Sequence, residues 1–203
     1  ERYDLMTAID RWVITHLFLS QGDNLRVADS ELEPPTMAAI NLSGASLNDE
    51  SFLDFVRATL EEHAINPRQI CFEITETVAI SHLDRAINFI SALRQLGCRF
   101  ALDDFGSGLS SFGYLKNLPV DFLKIDGSLV RNVVDSPVDA AMVQAVHEIG
   151  HVMGLKTIAE YVENEALRQR LIAMGVDYMQ GFAIEMPRPF APIPAGINTQ
   201  TRS

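Results

Sequence analysis

The sequence predicts an α/β fold, a TIM-like (β/α)8 barrel short of about one strand, and three observations carry that expectation. Short apolar runs alternate with amphipathic helical segments, the pattern of parallel strands joined by helical crossovers. A polar residue ends nearly every run. A barrel brings all such strand ends to one face, whereas an open doubly wound sheet gathers only those near its switch point. The chain has 203 residues, against the ~250 typical of such a barrel, a deficit of about one strand with its connection.

The elements follow in order. Residues Asp4–Leu19 read as a helix in which Leu5, Ile9, Trp12, Val13, His16 and Leu17 recur at helical spacing, with Trp12 as the expected core anchor. From Ser20 to Pro35 the composition turns polar and ends in Pro34-Pro35, which reads as a loop. Thr36–Ile40 is the first apolar run and ends at Asn41. Glu50–His63 supplies a helix with Phe52, Phe55, Val56 and Leu60 on one face. Ile70–Phe72 ends at Glu73, with Ile74-Thr75-Glu76 behind it. Asp84–Leu96 is a helix closed by Gly97. Phe100–Leu102 runs into Asp103 and Asp104, and Phe122-Leu123 into Lys124. Val138–Met153 is a long helix closed by Gly154. Thr157–Ala159 ends at Glu160, Ala166–Met174 is a helix closed by Gly175, and Tyr178-Met179 ends at Gln180. Phe182–Ile184 is read as a last strand, about the seventh, and from about Pro187 onward the chain reads as a tail.

Composition limits the function. A net charge of −11 argues against a DNA or RNA polymer as partner, since such binding rests on neutralising phosphates with Lys and Arg. A phosphate ester is still within reach if divalent cations lie between the two anions. No apolar run approaches the ~20 residues of a membrane span. Cys71 and Cys98 lie in or beside apolar runs and read as small hydrophobes in a reduced, cytoplasmic setting.

The chemistry concentrates at the strand ends. In a barrel, Asn41, Glu73, Asp103, Asp104, Lys124, Glu160 and Gln180 would share one mouth. Carboxylates with an amide oxygen form a hard-oxygen site suited to Mg²⁺ or Mn²⁺. Adjacent Asp103 and Asp104 would serve two ions, as in two-metal phosphoester hydrolysis, if a loosened backbone aims both at one place. Lys124 would offset the negative charge and orient or help deprotonate a water, with Glu160 as ligand or general base. Singly, each has an ordinary reading. Glu73 and Glu76 suit a solvated strand end and a helix start, Lys124 an ion pair with Asp126 or Asp103, and Glu160 and Glu163 first-turn helix acids.

The motifs Phe72-Glu73-Ile74-Thr75-Glu76, Leu102-Asp103-Asp104-Phe105-Gly106-Ser107-Gly108 and Leu118–Asp126 (LPVDFLKID) resemble the EAL domain family. So do Asn41-Leu42-Ser43, Ile158–Glu163 (IAEYVE) and Gln180-Gly181-Phe182, and the resemblance covers residues 1–187. It implies a modified TIM barrel that hydrolyses cyclic di-GMP to linear pGpG with two Mg²⁺ or Mn²⁺ ions. By motif, Asn41, Glu73, Asp103 and Asp104 match metal ligands and Lys124 the lysine near the attacking water. Glu160 matches the general base or metal-site glutamate, and Gln180 the glutamine beside it. Glu76 matches the residue that steadies the loop Phe105–Ser111, linked in the family to metal binding and to a homodimer. Asp126 and Glu163 match further acidic positions.

Against the family pattern, Tyr161 stands where Gly is usual, Gly127 where Arg is common and Leu109 where Tyr is common. The Glu-Ala-Leu signature on the first strand, whose Glu is a metal ligand, is absent. The chain therefore reads either as a piece of an intact domain, with sensory or diguanylate-cyclase-like modules upstream, or as a naturally incomplete one. By themselves these residues are expected to turn over poorly. The competing function is an inactive domain that serves as a cyclic di-GMP receptor or a regulatory, dimerising module.

Overall fold

The computed structural model describes residues 2–25, 37–107 and 112–189. Its centre is a parallel sheet of β1 (Ala38–Asn41), β2 (Ile70–Thr75), β3 (Arg99–Phe105), β4 (Phe122–Ile125), β5 (Lys156–Ala159) and β6 (Tyr178–Met179). The spatial order is β1-β2-β3-β4-β5-β6 with every neighbouring pair parallel. Among the described residues strand order never reverses and shows no switch point of the doubly wound kind; this is the arc of a barrel.

The connections are helical. Helices α1 (Arg2–Leu25), α2 (Gly44–Asn48) and α3 (Glu50–Glu62) flank β1, and α4 (Glu76–Ser81) and α5 (Leu83–Leu96) join β2 to β3. Then come α6 (Phe112–Leu115), α7 (Gly127–Val130), α8 (Pro137–Val152) and α9 (Glu165–Met174). Short polar side chains start them: Ser43, Asp49, Thr75, Asp126, Ser136 and Asn164 each accept a backbone N–H at a helix N-terminus. Gly97 ends α5 at φ +108, where a side chain would be strained.

The sheet separates two cores. Its outer face, with Ile70, Phe72, Ile74, Phe100, Leu102, Leu123 and Ile125, packs on the helices. Phe100 is central there, with ring centroids 5.6 Å from Phe72 and 6.2 Å from Phe89, and Phe89 lies 6.2 Å from Phe52 of α3. On the inner face Cys71, Ala101 and Phe122 form a separate small cluster with Ile158. Cys71 and Cys98 are buried free thiols. Burial pushes the Cys98 thiol up to about 12 and raises Cys71 further with help from the Glu73 charge, so both are inert at neutral pH.

Three expectations need correction. Trp12 is not a core anchor: it is 60% exposed, and Leu5, Ile9 and Val13 are also exposed. The buried stripe of α1 is Asp10, Ile14, Phe18 and Leu25. The helix carries apolar residues on more than one side, so its periodicity admits either face, and Asp10 turns inward because its carboxylate accepts from Ser43 N, Ser43 Oγ and Ser46 Oγ at 2.7–2.9 Å. The loop expected from Ser20 begins later, since α1 runs to Leu25; residues 26–36 lie outside the described part. Phe182–Ile184 is a turn, not a strand, closed by Ile184 N and Glu185 N donating to Gly181 O.

The two aromatic positions give opposite expected outcomes in denaturant unfolding of this chain. Phe100→Ala should cost about 3–5 kcal/mol, while Trp12→Ala should cost under ~1 kcal/mol.

Candidate active site

Side chains alternate along a strand, so the residues that follow the inner apolar cluster toward the strand C-termini also point inward. They are Glu73, Asp103, Lys124 and Glu160, all buried. The Lys124 ammonium lies 2.9 Å from Glu73 Oε2, 2.9 Å from Asp103 Oδ1 and 2.9 Å from Glu160 Oε1. Four elements' worth of sequence thus meet at one nitrogen. Burial alone would lower the Lys124 pKa, but the Glu73 charge and the hydrogen bonds that the ammonium donates to all three carboxylates outweigh it and hold the group above its ordinary value. A lysine held in its charged form orients and donates; it does not take up a proton.

Adjacent Asp103 and Asp104 reach the same place through a β-bulge. Leu102 pairs with Leu123 and Phe105 with Ile125, so β3 carries one residue more than β4 across this interval. Asp104 takes the bulge strain at φ +56, a left-handed conformation that Asp tolerates better than most residues. The strand therefore continues past both acids to Phe105 instead of ending at Asp103. Carboxylate oxygens of Asp103, Asp104 and Glu160 fall within 4.8 Å of one another. Asp104 is shifted upward by partial burial and by the charges of Asp103 and Asp126, with Lys124 opposing. Glu160 is also raised, by burial first and by Asp103 and Asp104, although Lys124 pulls it down. Like charges crowded this way have unmet demand for a cation, and an all-oxygen donor set suits a hard divalent one.

The remaining candidates take more distant posts. Asn41 ends β1 in register with Glu73 and is exposed. Glu76 is buried, not solvated: it accepts Tyr114 Oη–H at 2.5 Å and Gly106 N–H at 3.4 Å, tying α4 to the chain after β3. Residues 108–111 of that loop, Leu109 included, lie outside the described part. Asp126 does not pair with Lys124; it caps α7 by accepting Ser128 N–H at 2.9 Å. Glu163 and Gln180 are exposed and share a cavity of about 250 Å³ with Glu160, Tyr161, Gly181 and Phe182.

The structure adds a second group that the strand-end pattern did not flag: His147, His151 and Asp177. Its polar atoms are committed locally. His147 Nδ1 meets Thr157 Oγ1 at 2.8 Å, and Asp177 accepts from Lys156 Nζ, Thr157 N and Thr157 Oγ1 while meeting His151 Nε2 at 2.7 Å. This is a clasp holding α8 against β5, built from the i, i+4 spacing of two histidines on one helix face.

A family model described as the EAL domain matches residues 1–187. The chain is 43% identical over 191 residues to the cyclic di-GMP phosphodiesterase PdeB of Shewanella oneidensis, covering 94% of the chain and 22% of that protein. It is 37% identical over 187 residues to the cyclic di-GMP phosphodiesterase PdeF of Escherichia coli, covering 92% of the chain and 24% of that protein. The chain thus spans about a quarter of the length of these curated relatives. Among solved structures, the PaMucR phosphodiesterase in complex with c-di-GMP superposes with a TM-score of 0.83 at 32% identity, covering 93% of this chain and 75% of that one.

Crowding of Asp103, Asp104 and Glu160 sets an expected outcome in thermal melts. Mn²⁺ should raise the melting temperature of this chain. Asp104→Asn should melt higher than wild type without metal, because it removes a like charge, and should show a smaller Mn²⁺ shift. An unchanged melt with and without Mn²⁺ would contradict the cation-binding reading.

Proposed function

The chain belongs to the EAL domain family, and on that premise we propose that it is the phosphodiesterase domain of a longer bacterial signalling protein, hydrolysing cyclic di-GMP to linear pGpG. The observation that carries this reading is the Lys124 hub, which gathers Glu73, Asp103 and Glu160 beside the bulged Asp104. Phosphodiesterases of this family depend on divalent metal. Here Asn41, Glu73, Asp103, Asp104 and Glu160 would hold two ions, Mg²⁺ or Mn²⁺. Such ions supply Lewis-acid polarisation of the phosphoryl oxygens and neutralise charge on both sides of an in-line displacement.

The protein groups divide the remaining work. Glu160, buried at the end of β5 and held by Lys124 at 2.9 Å, takes the proton of the attacking water at a carboxylate oxygen. Lys124 stays protonated and fixes the Glu160 and Asp103 carboxylates in position. Glu76 steadies the start of the loop after β3 through Gly106 N and Tyr114. Asp126 holds the start of α7 and biases Asp104 electrostatically. Glu163 and Gln180, in the cavity beside Glu160, contact the substrate. The domain spans residues 1–187 with a tail at 188–203, works in the cytoplasm, pairs as a homodimer and is joined to sensory or diguanylate-cyclase-like modules. No helix among the described residues is long and apolar enough to cross a membrane.

The test is steady-state kinetics of the full-length protein on cyclic di-GMP. Glu160→Gln should lower kcat by about 10²–10⁴-fold, and Lys124→Ala by a similar factor. Unchanged turnover in both variants would sink the assignment. Tight binding with no turnover in the wild type would point to a receptor.

A further inference from the structure

Among the described residues two groups of side chains could hold a metal ion, and the catalytic reading uses only Asp103, Asp104 and Glu160. In the other group, a ring nitrogen of His147, a ring nitrogen of His151 and a carboxylate oxygen of Asp177 fall within 4.8 Å of one another. The local sequence explains the meeting. His147 and His151 are separated by one turn of α8, so their rings share a face, with centroids 4.1 Å apart. Asp177 arrives from the short connection between α9 and β6. Gly175 ends α9 there at φ +84, and an added Cβ would come 3.5 Å from His147 Nε2. Glycine at that position leaves space beside the ring.

This cluster and the Lys124 hub lie on opposite faces of the sheet. Ile158 packs with the inner apolar cluster, so its neighbour Thr157 points to the helix side, where Thr157 Oγ1 meets His147 Nδ1 at 2.8 Å. The hydrogen bonds of the clasp are those a cation would use. Thr157 Oγ1 donates to Asp177 Oδ2 at 3.1 Å and so accepts from His147 Nδ1–H, which leaves the lone pair of that ring on Nε2. A hydroxyl that orients both a histidine and a carboxylate is the outer support that metal ligands carry. His151 Nε2 and Asp177 Oδ2 are 2.7 Å apart with a proton between them. A divalent cation displaces that proton, which moves through solvent to His151 Nδ1, and the ring stays neutral; the His151 side chain is 41% exposed, so solvent reaches it. One group opposes the cation: Lys156 Nζ lies 2.8 Å from Asp177 Oδ1, but its side chain is 57% exposed and turns to water at little cost.

The donor set selects the metal. Two imidazoles and one carboxylate suit Zn²⁺, whereas Mg²⁺ and Mn²⁺ favour the all-oxygen cluster on the other face. We propose that His147, His151 and Asp177 form a Zn²⁺ site on the helix side of the barrel, with water in the fourth position, which fastens α8 and the chain before β6 to the start of β5. The ion takes no part in the chemistry at phosphorus.

The test counts zinc in the full-length protein, stripped of metal and then held in excess Mg²⁺. Titration with Zn²⁺ should fill one more equivalent per chain in wild type than in His151→Ala, a change at an exposed position that should fold. His147→Gln should lose the same equivalent, so the result does not rest on one variant. Asp104→Asn, which disturbs the catalytic cluster, should keep it. Co²⁺ in place of Zn²⁺ should give wild type the intense visible absorption of four-coordinate cobalt, and His151→Ala should lack it. Thr157→Val, which removes the orienting hydroxyl, should weaken Zn²⁺ binding by about 10–100-fold, and Lys156→Met should tighten it by removing a like charge. Equal zinc in wild type, His151→Ala and His147→Gln would overturn the proposal. So would an equivalent lost in Asp104→Asn and kept in both histidine variants, which would place the ion in the catalytic cluster.

Discussion

The molecule depends on one buried charge. Lys124 lies inside the sheet's concave face with its side chain only 3% exposed and three carboxylates at 2.9 Å. Removing one partner of such a group leaves an uncompensated charge away from water, which is strongly destabilising. The arrangement therefore constrains register as well as chemistry. β2, β3, β4 and β5 must align so that their inward acids reach the same ammonium, and a slip of one residue would turn every one of them toward the helix side. Below this polar layer the inner face is apolar and small, with Cys71, Ala101 and Phe122, so the site is a lid of charge on a hydrophobic floor.

The bulge in β3 turns this ion-pair hub into a site with spare acidity. A regular strand would send Asp103 and Asp104 to opposite faces. The extra residue, with Asp104 at φ +56, lets the second acid join the first at the mouth. Both Asp104 and Glu160 then hold protons more tightly than usual, through burial first and then through the charges of neighbouring acids, against the opposing pull of Lys124. Natural proteins commonly accept such local cost where function requires it. The strain recurs at Tyr161, at φ +53 on the residue after Glu160, so backbone outliers flank the acidic cluster from two strands.

Much of the fold was legible in the sequence because two periodicities coexist in it. Apolar runs ending in Asn41, Glu73, Asp103, Lys124, Glu160 and Gln180 marked the strands, and four of those ends, Glu73, Asp103, Lys124 and Glu160, meet at one place. Helix ends were legible from Gly97 and Gly175. What failed was face selection in α1: Trp12, Ile9 and Leu5 form as good an apolar stripe as Ile14 and Phe18, and only the tertiary bonds of Asp10 to Ser43 and Ser46 choose between them. The apolar run Phe182–Ile184 mimicked a strand, but Gly181 before it folds the chain into a turn. The partners of Lys124 were only partly legible, Asp103 being one of the two acids the sequence offered, for a different reason. Charge complementarity gave several choices, Asp126 among them, and strand spacing, absent from sequence, selected Glu73, Asp103 and Glu160. The packing of Tyr161 on Gly127, where an added Cβ would come within 2.2 Å of Tyr161 Cδ2, was likewise invisible as two unconnected departures, and became one contact once α7 and the chain after β5 were side by side.

The central claim is that the cluster around Lys124 works on a phosphodiester through bound divalent cations. The measurement that tests it most directly is chromatography of the products formed when the full-length protein is incubated with cyclic di-GMP in Mg²⁺, in Mn²⁺ and in EDTA. The account predicts pGpG in either metal and intact cyclic di-GMP in EDTA. Intact nucleotide under all three conditions, or pGpG formed equally in EDTA, would contradict it.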